Sequence, residues 1–221
     1  MRCRPNNRST VGLAIQSITF FIIGAAALGA GTPTGSSRDD DSTPRLTVRM
    51  YSFAGLSPWV LEGSEIQAAR LLRNVPIHLN WVNCTTRSVP AACTSKLAPT
   101  DLIVRVLAKA LPQASENALG IAGSKREDAI AFIFYDRIVA LRTHTRLLPP
   151  IVGRVLAHEI VHVLLPDEAH SDLGLMRGQW SADDLRTDSS ACMGLPALSV
   201  QLMQKEALRR VLSARRLAMN Y

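Results

Sequence analysis

The first thirty residues contain no acid, lysine is scarce throughout (4 against 21 arginines), and aromatic side chains make up 5% of the chain. No run of five basic residues occurs, and the few aromatics do not interleave with arginine, so a nucleic-acid surface is not expected. The formal charge is +7. Arg2, Arg4 and Arg8 contribute three of those charges, so the remainder carries 7 − 3 = +4, too little to imply an acidic partner. The arginine excess reads as a coding bias rather than a function. No internal repeat appears. No cysteine directly follows the apolar N-terminal run, which leaves a lipid-anchored form unsupported.

What the N-terminus does contain is a basic head followed by VGLAIQSITFFIIGAAALGA, residues 11–30, and then a polar, turn-rich stretch. That is the layout of a secretory signal. The apolar run is also long enough to span a bilayer. Export is therefore expected, with residues 1–30 either cut off or kept as a membrane anchor. Residues 31–44 read as a linker and 45–221 as the folded domain, one domain being the default for 221 residues. A monomer is expected. Cys84 and Cys93 bracket NCTTRSVPAAC and are expected to form a disulfide in an oxidising compartment; the alternative is a pair of buried thiols. Cys192 has no evident partner.

Along the domain, RLTVRMYSF alternates Leu46, Val48 and Met50 with polar residues, which predicts a half-buried strand. Ser57-Pro58 opens a helix to about Arg73, with Ile66, Ala69 and Leu72 at helical spacing. IHLNWV gives a second strand, with His78 and Asn80 on its polar face, and DLIVRVL a third. Residues 112–127 read as irregular and as part of a possible cleft. AIAFIFY is a fourth strand, ended by Tyr135 and Asp136. A helix from Ile151 to about Leu165 is apolar on nearly every side and therefore buried. A possible cap at Ser181, with Asp184 as its partner, precedes a last helix from about Ser199 to Arg216. This order predicts an α+β domain: a mixed sheet of about four strands, a buried active-site helix and a C-terminal helix.

The chemistry lies in HEIVHVLLPDEAH, residues 158–170, which holds three of the five histidines. His158 and His162 are four apart and stack on one helix face, where two imidazoles reach one ion. Glu159 lies about 100° round from His158 and about 60° from His162, beside the ion without ligating it. Two histidines and a glutamate on a buried helix need partners or cost several kcal/mol, and a bound cation would account for all three. Imidazole suits zinc, and three protein ligands plus water is the catalytic arrangement. Pro166 ends the helix, so the chain can return and bring His170, eight positions past His162, to the metal. His144 reads as solvent-facing, and Trp180 as a cleft wall or a core residue.

At this point the stretch HEIVHVLLPDEAHSDLGLM resembles the metzincin zinc proteases, the matrixin branch most of all, whose motif is H-E-x-x-H-x-x-G-x-x-H followed by a methionine turn. His158, Glu159 and His162 match its first half, His170-Ser171 resembles the third ligand and its serine, and Met176 stands where the methionine turn would fall. The chain is also similar to a group of exported bacterial proteins of this length that share these elements. The motif covers residues 158–176 and the fold-level resemblance residues 45–180. Leu165 or Pro166 stands at the family's glycine, and the spacer to the third histidine is two residues longer, so Glu168 occupies the strict register and is the alternative third ligand. The resemblance implies that Tyr135 and Asp136, at the edge strand, line the substrate groove.

These readings converge on an exported zinc endopeptidase with one catalytic Zn²⁺ on His158, His162 and His170. Glu159 would serve as general base toward zinc-activated water, and the substrate would be a peptide or protein. The rival is a non-catalytic, zinc-stabilised extracytoplasmic binding module, with Asp167, Glu168 or Asp172 as a fourth ligand.

Overall fold

The computed structural model describes residues 43–85, 88–123, 129–141, 145–165, 170–180 and 193–219. The chain divides into two compact units between Asp41 and Ser42, and every core residue lies in the second, Ser42–Tyr221. The 1–30 segment, His144, Pro166, Glu168, Ser181, Asp184 and Cys192 fall outside the described residues.

The α+β expectation holds, with one more strand than the sequence pattern suggests. The elements are β1 (Arg45–Ser52), α1 (Pro58–Leu72), β2 (His78–Asn83), a short α2 (Ala91–Thr94), β3 (Asp101–Leu107), β4 (Gly120–Ala122), β5 (Ile130–Phe134), α3 (Tyr135–Ala140), α4 (Leu148–Leu164) and α5 (Ala197–Met219). The sheet order is β2-β1-β3-β5-β4. The first four strands in that order are parallel, and β4 joins β5 antiparallel at one edge. The extra strand, β4, lies in the stretch read as irregular.

Alternation on β1 places Leu46, Val48 and Met50 in the core, and β3 adds Leu102, Val104 and Val106. Helices α1 and α4 cover that face. By length and composition α4 with the turn before it could cross a membrane, but 78% of its most apolar window is buried inside the domain, so it is the central core helix. It begins at Leu148, three residues earlier than expected, because prolines 149 and 150 fit a first turn whose N–H groups need no partner. Helix α5 runs two residues further N-terminal and three further C-terminal than its apolar pattern indicated. Arg210 on α5 donates to the carbonyls of Pro99 (3.3 Å) and Val163 (3.5 Å) and to Glu206, which ties α5 to the end of α4.

The buried face of α1 differs from the expected one. Ile66 and Ala69 point outward, whereas Val60, Leu61, Ser64, Gln67, Ala68 and Leu71 point inward with Leu72. Close approach of the helices explains the shift. A Cβ on Gly153 of α4 would sit 2.6 Å from the Gln67 Cβ and 2.7 Å from the Ser64 carbonyl oxygen, and one on Gly63 would sit 2.7 Å from the Pro149 Cβ. The glycines let α1 bring short and polar side chains against α4. In an open helix Gly→Ala gains about 1 kcal/mol. Here the contacts are with backbone and Cβ atoms that cannot swing away, so the overpacking outweighs it. Gly153→Ala is expected to cost about 1–3 kcal/mol, read as a lower urea midpoint at unchanged slope. An unchanged or higher midpoint would contradict this packing.

On the opposite sheet face Arg49 and Tyr51 contact residues 93–96. Cys84 and Cys93 form a disulfide with a Cα separation of 5.6 Å, as the sequence suggested. Closing so short a loop stabilises the fold by about 2–3 kcal/mol on the loop-entropy account. The Cys84 N–H donates to Met50 O at 2.7 Å, and the Tyr51 hydroxyl donates to Cys93 O at 3.3 Å. Arg49 on β1, 3% exposed, forms a buried ion pair with Asp101 on β3 and also donates to Ser95 O at 2.9 Å. Asp101 in turn accepts from the Ala98 N–H at 2.7 Å.

Candidate metal centre

Helix α4 delivers two of the three imidazoles. His158 and His162 project from its C-terminal half into a cleft of about 780 Å³, and the segment after the helix returns His170 to them. The His162 Nε2 lies 3.2 Å from the His158 Nε2 and 3.2 Å from the His170 Nε2. Among the described residues these three form a group that could hold a metal ion, with donor atoms all within 4.8 Å of one another. Tetrahedral zinc with Zn–N bonds of about 2.0–2.1 Å separates its ligand atoms by about 3.3–3.4 Å. The two spacings from His162 are close to that, and the all-imidazole donor set suits zinc. The residues present therefore fit the ion.

The orientation of His158 is fixed from behind. His158 Nδ1 lies 2.8 Å from Leu175 O, so Nδ1 carries the proton and Nε2 keeps its lone pair for a metal. Leu175 and Met176 sit on a turn that the Ser171 N–H closes onto Met176 O at 2.8 Å, and Gly174 enters it at φ +81°. Met176 is buried. Its turn thus reaches the cluster through the neighbouring carbonyl. Gly178 lies against the third ligand: a Cβ there would be 3.1 Å from the His170 Cβ.

Burial sets the charge states. Desolvation pushes His158 down to about 4, opposed by its bond to the Leu175 carbonyl and reinforced by His170. Desolvation also lowers His162 to about 4, with His158 and His170 adding to it. Both rings are therefore neutral at neutral pH, the state a ligand needs. Desolvation raises the buried Glu159 carboxyl to about 8, and a cation at the cluster would oppose that shift.

The far wall of the cleft is the edge strand β4 and its approach, residues 115–123. Here the structure corrects one expectation. Tyr135 and Asp136 do not line the cleft: β5 is flanked by β4, and the chain passes from Phe134 directly into α3. Asp136 instead accepts from the Ala110 N–H at 3.2 Å. Three residues that the sequence reading did not single out shape the wall. A Cβ on Gly120 would lie 2.8 Å from the Glu159 Oε1 and 2.8 Å from Phe132 O, so only glycine lets the carboxylate rest on the strand. Arg137 of α3 donates to Ser115 O and, at 2.6 Å, to Ala118 O, holding the approach to β4. Gly178 is the third. No periodicity marks any of them. Trp180 fills both roles considered for it: it lines the cleft, edge-on to His158 at 5.2 Å between ring centroids, and packs against the core. His78 is exposed on β2, away from the site. Asp172 is exposed and is not part of the metal-binding group, and Glu168 lies outside the described residues.

Fold and cluster together define an α+β domain with a three-histidine metal cleft. No protein-family model matches the chain, and no curated protein matches it. Among solved structures, an archaemetzincin from Methanopyrus kandleri is similar over 75% of this chain and 97% of its own, at 14% identity and a TM-score of 0.49. A zinc-dependent peptidase from Methanocorpusculum labreanum is similar over 71% of this chain and 99% of its own, at 10% identity and a TM-score of 0.48. Likeness at this level carries no argument about activity, which rests on the site itself.

Proposed function

We propose that the chain is an exported zinc-dependent endopeptidase in which His158, His162 and His170 hold one zinc ion and Glu159 is the general base. The observation that carries the reading is the convergence of three imidazole nitrogens, one tied back to Leu175 O, in a cleft that also receives the Glu159 carboxylate. Zinc bound there supplies Lewis acidity toward a peptide carbonyl and toward water. Glu159 accepts a proton from the attacking water at a carboxylate oxygen and passes it to the amine nitrogen as the C–N bond breaks. The edge of β4 offers backbone N–H and C=O groups to an extended peptide, which binds as an added strand. Arg137 keeps that edge in place and Trp180 closes the cleft beside His158. Export is supported by the basic and apolar N-terminal sequence and by the Cys84–Cys93 disulfide.

Zinc content of the wild type, His170→Ala and Glu168→Ala tests the ligand set. The wild type should carry one ion. Taking a third of a binding free energy of order 12 kcal/mol, His170→Ala should weaken zinc by roughly a thousandfold, and Glu168→Ala should retain it. The reverse pattern would move the third ligand to Glu168, and a zinc-free wild type would remove the peptidase reading. Unfolding on chelation without any peptide cleavage would indicate a structural staple instead.

A further inference from the structure

Helix α5 has an outward face that is exposed along its length. Its buried residues, Ser199, Met203, Glu206, Ala207 and Arg210, stop at position 210, and nothing from 211 to 219 is buried. Leu198, Leu202, Leu208, Leu212 and Met219 are all exposed, Met219 at 77%. At about 100° per residue they fall within a sector of about 120° on the side away from the core. Lys205, Arg209 and Arg216 share that sector, with Arg215 at its border, and all four are exposed. The helix has one acid, Glu206, which is buried and paired with Arg209 and Arg210. Among the described residues of the helix, the exposed face is therefore apolar and cationic, and none of its own residues is acidic.

From this placement we propose that α5 is a docking face for an anionic lipid surface, with its leucines and Met219 entering the acyl boundary and Lys205, Arg215 and Arg216 meeting the headgroup phosphates. Charge complementarity fixes the sign of the partner. Geometry selects a membrane over an acidic protein. The apolar side chains are strung along about 32 Å of helix with cations between them, so they form no compact patch of the kind that fills a pocket. Long Lys and Arg stems can lift their charges to the headgroups while Leu and Met point down. Nucleic acid is disfavoured, because Ala197–Met219 carries no aromatic side chain for base stacking. The last turn, residues 215–219, is exposed throughout, so an external partner would add to its stability in water. The face is independent of the metal cleft, so this inference stands whether or not the peptidase reading does.

Residues 42–221 hold the complete core and lack the N-terminal apolar run, which would bind lipid by itself. This unit, zinc-loaded, is to be sedimented with vesicles of phosphatidylcholine and of phosphatidylcholine mixed with phosphatidylglycerol. At roughly fivefold for each of Lys205, Arg215 and Arg216, partitioning should be on the order of a hundredfold higher on the anionic vesicles and should weaken with salt. Arg215→Glu with Arg216→Glu should abolish that difference. Leu208→Ser with Leu212→Ser should lower anionic binding by about a hundredfold, about one decade per leucine withdrawn from the acyl boundary. Met219→Ser, in a turn where nothing is buried, gives a second apolar test that cannot disturb the fold. Equal partitioning on both vesicles, or binding indifferent to these variants, overturns the proposal. So does self-association in solution that the leucine variants abolish without any vesicle binding, which would assign the face to a second copy of the chain.

Discussion

Glu159→Gln is expected to lower peptide turnover by about 10²–10⁴-fold while zinc content stays at the wild-type level. The substitution keeps the shape of the side chain, and the space over Gly120 that admits a carboxylate admits an amide equally well. It removes only the ability to take up a proton from water and release it to the amine. Glu159 is not a member of the histidine group, so the ligand set is unchanged. The measurement is cleavage of a peptide library by wild type and variant, with zinc determined on the same samples. Turnover within a few-fold of wild type would remove Glu159 from the reaction. Loss of zinc in the variant would instead make Glu159 a ligand, contrary to the arrangement seen.

Asp101→Ala should have the largest effect on folding, about 3–5 kcal/mol by urea denaturation. Arg49 would keep its bond to Ser95 O but lose its counter-ion at 3% exposure, and the Ala98 N–H would lose its acceptor. That is a large fraction of the roughly 5–15 kcal/mol that holds a domain together. Joint replacement by Arg49→Met and Asp101→Leu should recover most of the loss, because no buried charge is then left unpaired. A double variant no better than Asp101→Ala would show that the pair is needed for more than its own neutrality. The pair joins β1 to β3 and pins the 95–98 segment, so the damage should spread to the disulfide loop and leave the metal cleft for last.

Elements whose side chains report their own environment were legible from sequence. Strand β1 alternates cleanly, and α4 is apolar on almost every side, which a buried helix must be. The HEIVH spacing fixes two ligands because helical geometry leaves no freedom in how residues four apart project. Helix α1 was misread because its burial is governed by glycines on both sides of a crossing. Ser64 and Gln67 face inward there, a placement hydropathy cannot anticipate, and Ile66 is left outside. Strand β4 was missed because three residues carry no usable alternation; it exists through pairing with β5. It lines the cleft, whereas Tyr135 and Asp136 are not among the cleft's lining residues. The third histidine was legible only from its company, Ser171, Gly174 and Met176, since the sequence between it and the helix, LPDEA, carries no periodic pattern.

The tight crossing at Gly63 and Gly153 bears on how the metal site should fail. Two donors ride on a helix wedged so firmly that their positions are those of the core itself, whereas the third sits on an exposed return segment. Heat should therefore strip one arm first and leave a two-armed, weakly chelating remnant on an otherwise folded body. Inactivation and melting would then be separate events, with coordination number dropping before any strand parts.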